Sequence, residues 1–365
     1  MAEVWDAAWA NPSSVHTAGR RARAVVERAR HQVAIVLDCN PSQIVFTSGG
    51  TEANNLAVAG TVAARPERRH VVVSAIEHHS VLDACRALAR QGCTLSLVRP
   101  EASGVVPVER MLAALRPDTA LCCLMLANNE VGAVQPVAEV ARGCRGAGVP
   151  LLVDAVAAGG RWPIRLPDLG ADFLTLSAHK FGGPKGVGLL AVAPGRELVP
   201  LFHGGGQERR WRPGTENVAG IAAAGVALEL AEAEREHLCA RLRGRAADLE
   251  VAILNGCPGA VRTGPVDPER RLPGLVSFTF PGLDGDALLA TLDLLGVAAG
   301  SGAACTSGSR QPSHVLAAMG YDEAACRTAL RLSLGPETSA ADVAAAALAV
   351  REAVARQGAT EGRGA

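Results

Sequence analysis

The chain has 365 residues, 48% of them hydrophobic, and its 36 basic residues balance 36 acidic ones. A chain of this length can bury a large core, and its neutral balance lacks the basic surface that nucleic acids or anionic membranes require. It has neither a signal-like start nor an apolar run of membrane-spanning length, which favours a cytoplasmic protein without nucleic-acid or membrane partners.

The ten cysteines are spread along the chain without a C-x-x-C pair. Cys122 and Cys123 are adjacent on a predicted strand, where neighbouring side chains point to opposite faces. This pattern argues against a metal site or a disulfide framework. We expect most of the cysteines to be small buried apolar side chains in a reducing compartment.

The first predicted element is a surface helix over residues 17–38, which ends before Asn40-Pro41. Short apolar runs separated by helical stretches follow, and their alternation is typical of a doubly wound, mainly parallel sheet whose strands are buried on both faces. The predicted fold class is therefore α/β. The predicted strands are QIVFTS (43–48), HVVVSAI (70–76), TLSLVRP (94–100), ALCCLML (120–126), VPLLVDAV (149–156), DFLTLSA (172–178) and GVGLLAVA (186–193).

A second section is predicted from about residue 220, where a long alanine-rich helix begins. Its other elements are strands at 274–280 and 331–335, a helix at 286–296 and a final helix, which together suggest a smaller α+β unit. The predicted organisation is a large domain over 1–225, a small C-terminal domain over 226–355 and a disordered tail over 356–365.

Polar side chains follow several predicted strands of the large domain, at the edge where open α/β sheets bind ligands. QIVFTS leads into a Gly-Gly-Thr turn that opens a helix, where free N–H groups can hold a phosphate. Each of these residues alone has a structural explanation, such as helix capping. Together they place phosphate, imidazole, amide, carboxylate and amine chemistry at one edge, in Gly50-Thr51, Glu77-His78-His79-Ser80, Asn128-Asn129-Glu130, Asp154 and His179-Lys180.

Only two of the 36 basic residues are lysines, Lys180 and Lys185, and both lie in SAHKFGGPKG. A lysine amine can lose its proton and condense with a carbonyl, whereas an arginine guanidinium stays protonated. A composition biased towards arginine explains the rarity equally well, but the edge as a whole matches the needs of pyridoxal phosphate. This predicts that Lys180 binds the aldehyde and that Lys185 supports the glycine-rich loop.

A second candidate is Cys305 in AGSGAACTSGSRQPSHVL, residues 299–316. The run of Gly, Ser, Ala and Thr predicts an exposed loop, in which a thiol can act as a nucleophile. A loop cysteine without a function is the alternative for this residue taken alone.

These segments closely resemble the cysteine desulfurases with a long active-site loop, within the fold-type I, class V aminotransferase-like enzymes that use pyridoxal 5'-phosphate. The similarity spans nearly the whole chain, and it implies a fold-type I architecture with a smaller C-terminal domain carrying the catalytic cysteine loop. The matching motifs, in order, are NPSSVH (11–16), TSGGTEANN (47–55), EHHSVLD (77–83), NNEVG (128–132), SAHKFGGPKG (177–186), GGGQERRWRPGTEN (204–217), GSGAACTSGS (300–309), PSHVLAAMG (312–320) and RLSLG (331–335).

The resemblance implies a role for each matching residue. Lys180 would form the Schiff base, His78 would stack on the cofactor ring and Cys305 would accept the sulfur. Asp154 would pair with the pyridine nitrogen and Asn129 would lie beside the ring. The implied phosphate ligands are Gly50, Thr51, Ser177, His179 and Thr215, the last of which would reach across a dimer interface. Arg331 and Asn11 would bind the substrate.

The implied reaction converts L-cysteine to L-alanine in a homodimeric enzyme and leaves a persulfide on Cys305. The persulfide sulfur then passes to an acceptor protein, such as an iron–sulfur cluster scaffold or a protein of tRNA or DNA thiolation. A selenocysteine lyase, or another β-eliminating or transaminating enzyme, is the alternative with the same cofactor. A weakly active cofactor-binding scaffold in a sulfur-transfer complex is the alternative of a different class.

Two features depart from the family pattern. Ala157 stands where the family usually has a glutamine that donates to the phenolic oxygen of the cofactor, three positions after the pyridine-pairing aspartate. The chain also reaches NPSSVH after only ten residues, whereas family members have a strand and a turn before this motif. The resemblance therefore implies that the family's N-terminal segment is missing from this sequence.

Overall fold

The computed structural model describes residues 1–302 and 312–361, which form two units. The first unit comprises Met1–Val98, Pro107–Leu126 and Gln135–Arg235. The second comprises Arg99–Val106, Ala127–Val134 and the chain from Glu236 onward. The sequence prediction placed the division at residue 225. The observed division falls between Arg235 and Glu236, inside one continuous helix whose regular pattern gives no local signal of a boundary.

The first unit is built around a seven-stranded sheet of order β1-β7-β6-β5-β4-β2-β3. Strands β2 to β6 run parallel, and β7 is antiparallel to both of its neighbours, β1 and β6. The α/β prediction with a mainly parallel sheet is confirmed. The strands are β1 (Ile44–Thr47), β2 (His70–Ser74), β3 (Thr94–Val98), β4 (Thr119–Cys123), β5 (Leu151–Asp154), β6 (Phe173–Ser177) and β7 (Gly188–Val192).

Helices alternate with these strands, and the apolar faces of the two kinds of element form the core of the unit. Six of the seven strands are buried at every residue, including the edge strand β1, whereas β3 at the other edge is mostly exposed or half-buried. The helices are α1 (Ala2–Ala7), α2 (Thr17–Leu37), α3 (Gly50–Ala63), α4 (His79–Arg90), α5 (Val108–Ala113), α6 (Val137–Gly146), α7 (Leu166–Leu169) and the first part of α8 (Val218–Gly256).

The second unit has a three-stranded antiparallel sheet of order β10-β9-β8, formed by β8 (Val261–Arg262), β9 (Leu275–Thr279) and β10 (Leu330–Ser333). Its apolar core includes Phe278, Phe280 and residues of the long helices. The remaining helices are α9 (Gly285–Leu294), α10 (His314–Met319), α11 (Glu323–Arg327) and α12 (Ala340–Glu361). Helix α12 continues into the first part of the tail predicted to be disordered, and residues 362–365 lie outside the described chain.

None of the helices in the described ranges is long and apolar enough to cross a membrane.

Most of the cysteines are buried as predicted: eight of the nine described cysteines are buried, and Cys39 is half-buried. Cys305, the tenth, lies outside the described residues.

A buried ion pair fastens the loop before α8 to the sheet. The Arg30 guanidinium donates to both carboxylate oxygens of Glu208, at 2.7 and 3.0 Å, and to the backbone oxygen of Ile44 at 2.7 Å. The backbone N–H of Phe46 donates to the same carboxylate at 2.9 Å. Glu208 and the two residues after it have positive φ angles, a conformation that costs about 1–3 kcal/mol for each side-chain-bearing residue. The ion pair therefore holds a strained turn in place.

Replacing Glu208 by glutamine is expected to lower the free energy of unfolding by about 3–5 kcal/mol, because Arg30 then loses its counter-charge inside the protein. Glu27→Gln is the matched control, because Glu27 is the other partner of Arg30 and its side chain is 44% exposed. This substitution should lower the free energy of unfolding by less than about 1 kcal/mol. Denaturant titration measures both values. Equal losses in the two variants would contradict the assignment.

Candidate active site

The sheet topology brings most of the predicted site residues to one edge. Strand β1 and the parallel strands β2, β4, β5 and β6 point the same way, so their carboxyl ends meet at the same side of the sheet. The residues that follow or end these strands in the first unit include Gly50, His78, Asp154, Ser177 and Lys180.

The turn after β1 is shaped to receive an anion. Helix α3 begins at Gly50, and Gly49 before it provides no side-chain cap for the first N–H groups of the helix. A Cβ atom at Gly50 would lie 2.7 Å from Val156 Cγ2 and 3.5 Å from Ser177 Cβ, so only glycine fits there. Ser177 Oγ lies 3.0 Å from the Nδ1 atom of His179. Hydroxyl, imidazole and backbone groups thus meet at the start of α3, where Thr51 is exposed.

Asp154 at the end of β5 is held by two hydrogen bonds. Its Oδ2 atom accepts from Asn54 Nδ2 at 2.7 Å, and its Oδ1 atom accepts from the backbone N–H of Val156 at 2.9 Å. Asn54 is itself oriented by Thr175, whose hydroxyl donates to Asn54 Oδ1 at 2.7 Å. Burial raises the pKa of Asp154, while the two hydrogen bonds and the positive charges of His78 and Lys180 oppose the shift. A cation placed against this buried carboxyl would be strongly stabilised.

The Asn54 amide also helps to fix the tautomer of His78. Asn54 Nδ2 also donates to Ser80 Oγ at 2.8 Å, so the Ser80 hydroxyl proton is available to His78 Nδ1, 2.8 Å away. The Ser80 backbone N–H donates to the same Nδ1 atom at 3.1 Å. Nδ1 is therefore an acceptor, and the neutral ring carries its proton on Nε2. Burial lowers the pKa of His78, and the charges of His79 and Lys180 lower it further against the opposing effect of Asp154.

Glu77, beside His78, is a second buried carboxyl at this edge. It accepts hydrogen bonds from the Ser74 hydroxyl at 2.8 Å and the Met125 backbone N–H at 2.7 Å. Burial raises the pKa of Glu77 to about 8, and the nearby charge of Asp154 adds to the shift against those hydrogen bonds. Near neutral pH Glu77 is therefore mostly protonated, whereas the charge of Lys180 and two hydrogen bonds favour the ionised form of Asp154.

Lys180 lies on the short 3-10 turn that follows β6, at residues Ala178–Lys180. Its positive charge adds to the effect of burial in lowering the pKa of His78, and it opposes the effect of burial on the pKa of Asp154. The pKa of His179 is lowered by burial and by the charges of Lys180 and Lys185. Both lysines therefore act electrostatically on predicted site residues.

Two predicted residues lie in the second unit. The Arg331 Nη1 atom donates to the backbone oxygen of Asn129 at 2.9 Å, so these two residues are neighbours. Arg331 Nε is buried and has no hydrogen-bond partner among the described residues. An unsatisfied guanidinium N–H is costly, and a carboxylate ligand would remove that cost.

The other predicted residues are more peripheral. Asn11 is exposed in the turn before α2, where its side chain accepts from the backbone N–H of Ser13. Thr215 is exposed in the loop before α8. This loop is fastened by Arg212, whose Nε atom lies 2.9 Å from Glu52 in the first turn of α3. Cys305 lies outside the described residues.

The structure adds Asn54 and Ser80 to the predicted site. Both lie inside motifs that the sequence analysis quoted, but their roles depend on partners about 100 and 26 positions away along the chain. The signal in the sequence was Asn54 itself, which lies among mostly apolar residues on the buried face of α3. A buried amide of this kind needs polar partners and therefore points to a network.

Comparisons with known proteins identify the family of the chain. The aminotransferase class-V family matches residues 1–345. An IscS-like cysteine desulfurase of Mycobacterium tuberculosis is 43% identical over 95% of this chain and 90% of its own length. A solved NifS-like protein superposes with a TM-score of 0.90 at 34% identity, over 97% of this chain and 94% of its own. A structure of SspA in complex with cysteine gives a TM-score of 0.79 at 34% identity, over 92% and 94% of the two chains. The chain therefore belongs to the class-V aminotransferase family, among the cysteine desulfurases of the NifS and IscS type.

Proposed function

We propose that this protein is a pyridoxal 5'-phosphate-dependent cysteine desulfurase that converts L-cysteine to L-alanine. The family membership supports the reaction class. The observation that carries the proposal is the Asp154–Asn54–Ser80–His78 network with Lys180 beside it. This network offers a buried carboxyl, a ring of fixed tautomer and an amine that acts on both of them.

The residues of the first unit fit the cofactor. Asp154 would pair with the pyridine nitrogen, since a buried carboxyl with a raised pKa favours a cationic partner. His78 would stack on the ring, and the uncapped start of α3 at Gly50 and Thr51 would hold the phosphate with Ser177 and His179. When bound, the cofactor supplies an electron sink for the carbanion that forms at the substrate α-carbon.

The protein's own groups would perform the remaining tasks. Arg331 would bind the substrate carboxylate through its guanidinium, whose Nε–H has no partner within residues 1–302 and 312–361, and Asn129 and Asn11 would complete the substrate side. The Lys180 amine would hold the cofactor aldehyde at rest and, once released by substrate, take the α-proton. Thr215 would complete the phosphate site from the partner protomer of a homodimer.

Cys305 would accept the sulfur. Its thiolate attacks the substrate sulfur and forms an S–S bond, the Cβ–S bond breaks, and Cβ keeps the electron pair and gains a proton. The net change is L-cysteine plus enzyme thiol to L-alanine plus enzyme persulfide. The sulfur then passes to an acceptor protein in the cytoplasm, for which we propose an iron–sulfur cluster scaffold or a tRNA or DNA thiolation protein.

Protein loaded with cofactor is expected to release alanine and sulfide from L-cysteine in the presence of a thiol reductant. Cys305→Ser should lower this rate about 100-fold or more, because no other group is assigned to accept the sulfur. Cys39→Ser is the matched control, since burial and the charge of Asp38 raise the pKa of that thiol to about 11 and leave it protonated. Full activity in Cys305→Ser would instead indicate an eliminating lyase, and a loaded protein without turnover would indicate a scaffold.

Ala157 gives a second test, since it lies in the 3-10 turn Val156–Ala158 next to Asp154. Ala157→Gln would add a hydrogen bond to the anionic ring oxygen, worth about 1.5–3 kcal/mol. This should lower the midpoint of the pH titration of the visible absorption by roughly 1–2 pH units. Ala157→Met is the control of similar size without a donor. An identical shift in both variants would exclude the hydrogen bond as the cause.

A further inference from the structure

The start of α3, which is the proposed phosphate site, carries a glutamate. Glu52 is the third residue of the helix and lies in its first turn. Its Oε2 atom accepts from the backbone N–H of Ser48 at 2.8 Å and so holds the turn that leads from β1 into the helix. A carboxylate in the first turn favours the helix itself, but it repels an anion that binds at the same helix end. An anion site at this turn therefore requires that the charge of Glu52 be compensated.

Arg212 brings a guanidinium to this carboxylate. Its Nε atom donates to Glu52 Oε1 at 2.9 Å, and its Nη2 atom lies 3.5 Å from Oε2. The side chains of Arg212 and Glu52 are only 26% and 11% exposed, so water screens this pair less than a surface ion pair. Burial acts to raise the pKa of Glu52, but the hydrogen bonds from Arg212 and Ser48 and the charge of Arg212 lower it overall. Glu52 is therefore ionised near neutral pH, with Arg212 as its counter-charge.

The position of Arg212 is fixed by contacts other than its ion pair with the glutamate. Trp211, the residue before it, packs against the apolar core of the first unit. Gln207 Oε1 accepts from the backbone N–H of Gly214 at 3.0 Å, which joins the two sides of the loop. The buried ion pair of Glu208 fastens the same loop to the sheet. The loop therefore has anchors of its own, and the loss of the guanidinium alone would leave them in place.

We propose that Arg212 is a positioning residue that neutralises the Glu52 carboxylate and thereby allows an anionic phosphate to bind at the start of α3. Glu52 holds the turn at Ser48, and Arg212 cancels the repulsion that this carboxylate would otherwise exert on the anion. The proposal rests on the proposed function, because it takes this turn as the phosphate site of the cofactor. It assigns to Arg212 and Glu52 neither a contact with the cofactor nor a proton transfer.

The two partners should act in opposite directions when each is neutralised alone. Arg212→Gln leaves a carboxylate without its counter-charge at the phosphate site, so the dissociation constant for pyridoxal 5'-phosphate should rise by about 10–100-fold. Glu52→Gln removes the repelling charge, so the dissociation constant should stay unchanged or fall by up to about fivefold. Titration of the cofactor-free protein, followed by visible absorption, measures both values. Similar losses of affinity in the two variants would overturn the proposal and indicate a merely structural bond.

The double variant Glu52→Gln/Arg212→Gln contains neither charge. Its dissociation constant for the cofactor should return to within about fivefold of the wild-type value, because the loss in Arg212→Gln comes from the uncompensated carboxylate. Arg212→Lys keeps a positive charge without the planar fork of the guanidinium, and it should lose less affinity than Arg212→Gln. A double variant that binds the cofactor as weakly as Arg212→Gln would overturn the proposal.

Arg196→Gln is the matched control, because it breaks a similar ion pair of the same unit. Arg196 Nε lies 2.7 Å from Asp172 Oδ1, and the two side chains are 28% and 16% exposed. Asp172 precedes β6 and therefore lies at the opposite edge of the sheet from the phosphate turn. The dissociation constant for the cofactor should stay within about twofold of wild type in this variant. A loss equal to that of Arg212→Gln would overturn the proposal in favour of general damage.

Two further probes separate the phosphate group from the rest of the cofactor. Pyridoxal has the aldehyde and the ring without the phosphate, so its affinity should agree within about twofold between wild type and Arg212→Gln. Inorganic phosphate, added as a competitor of the cofactor, should bind about 10-fold or more weakly to Arg212→Gln than to wild type. Equal losses for pyridoxal and pyridoxal 5'-phosphate would overturn this proposal alone, whereas a wild-type protein that takes up no cofactor would overturn the proposed function with it.

Discussion

The site depends on the burial of the Asp154 carboxyl at the end of a central strand. Removing a carboxyl from water is costly unless hydrogen bonds and a positive charge compensate for the loss. Asn54 and the Val156 backbone supply the hydrogen bonds, and Lys180 supplies part of the charge. The part of the burial cost that these groups do not compensate favours a cationic ring placed against the carboxyl. A pyridoxal phosphate site requires this property.

Asp154, Glu77 and Glu130 are all buried carboxyls, but the groups that surround each of them differ. Glu77 has neutral donors and the repulsion of Asp154, and therefore holds its proton near neutral pH. Glu130 has a hydroxyl donor and the charge of Arg331, and burial raises its pKa to about 7 against both of them. Burial alone would have made the three groups alike. The specific partners of each carboxyl decide how far burial raises its pKa.

The sequence predicts much of the fold and part of the site. Apolar runs and the polar residues after them locate the strands and the edge where His78, Asp154 and Lys180 lie, because these signals are local. The reversed direction of β7 is not a local property and was not predicted. The contributions of Asn54 and Ser80 were missed for the same reason. Each of them is defined by hydrogen bonds to residues distant in sequence, one of which joins Asn54 to Asp154 across 100 positions.

The most direct test of the account is to reduce the cofactor-loaded protein with borohydride and to locate the attached cofactor by peptide mass spectrometry. The chain has only two lysines, so the result is unambiguous. The account predicts a stable adduct on Lys180, with Lys185 unmodified. An adduct confined to Lys185, or a protein that takes up no cofactor, would contradict it.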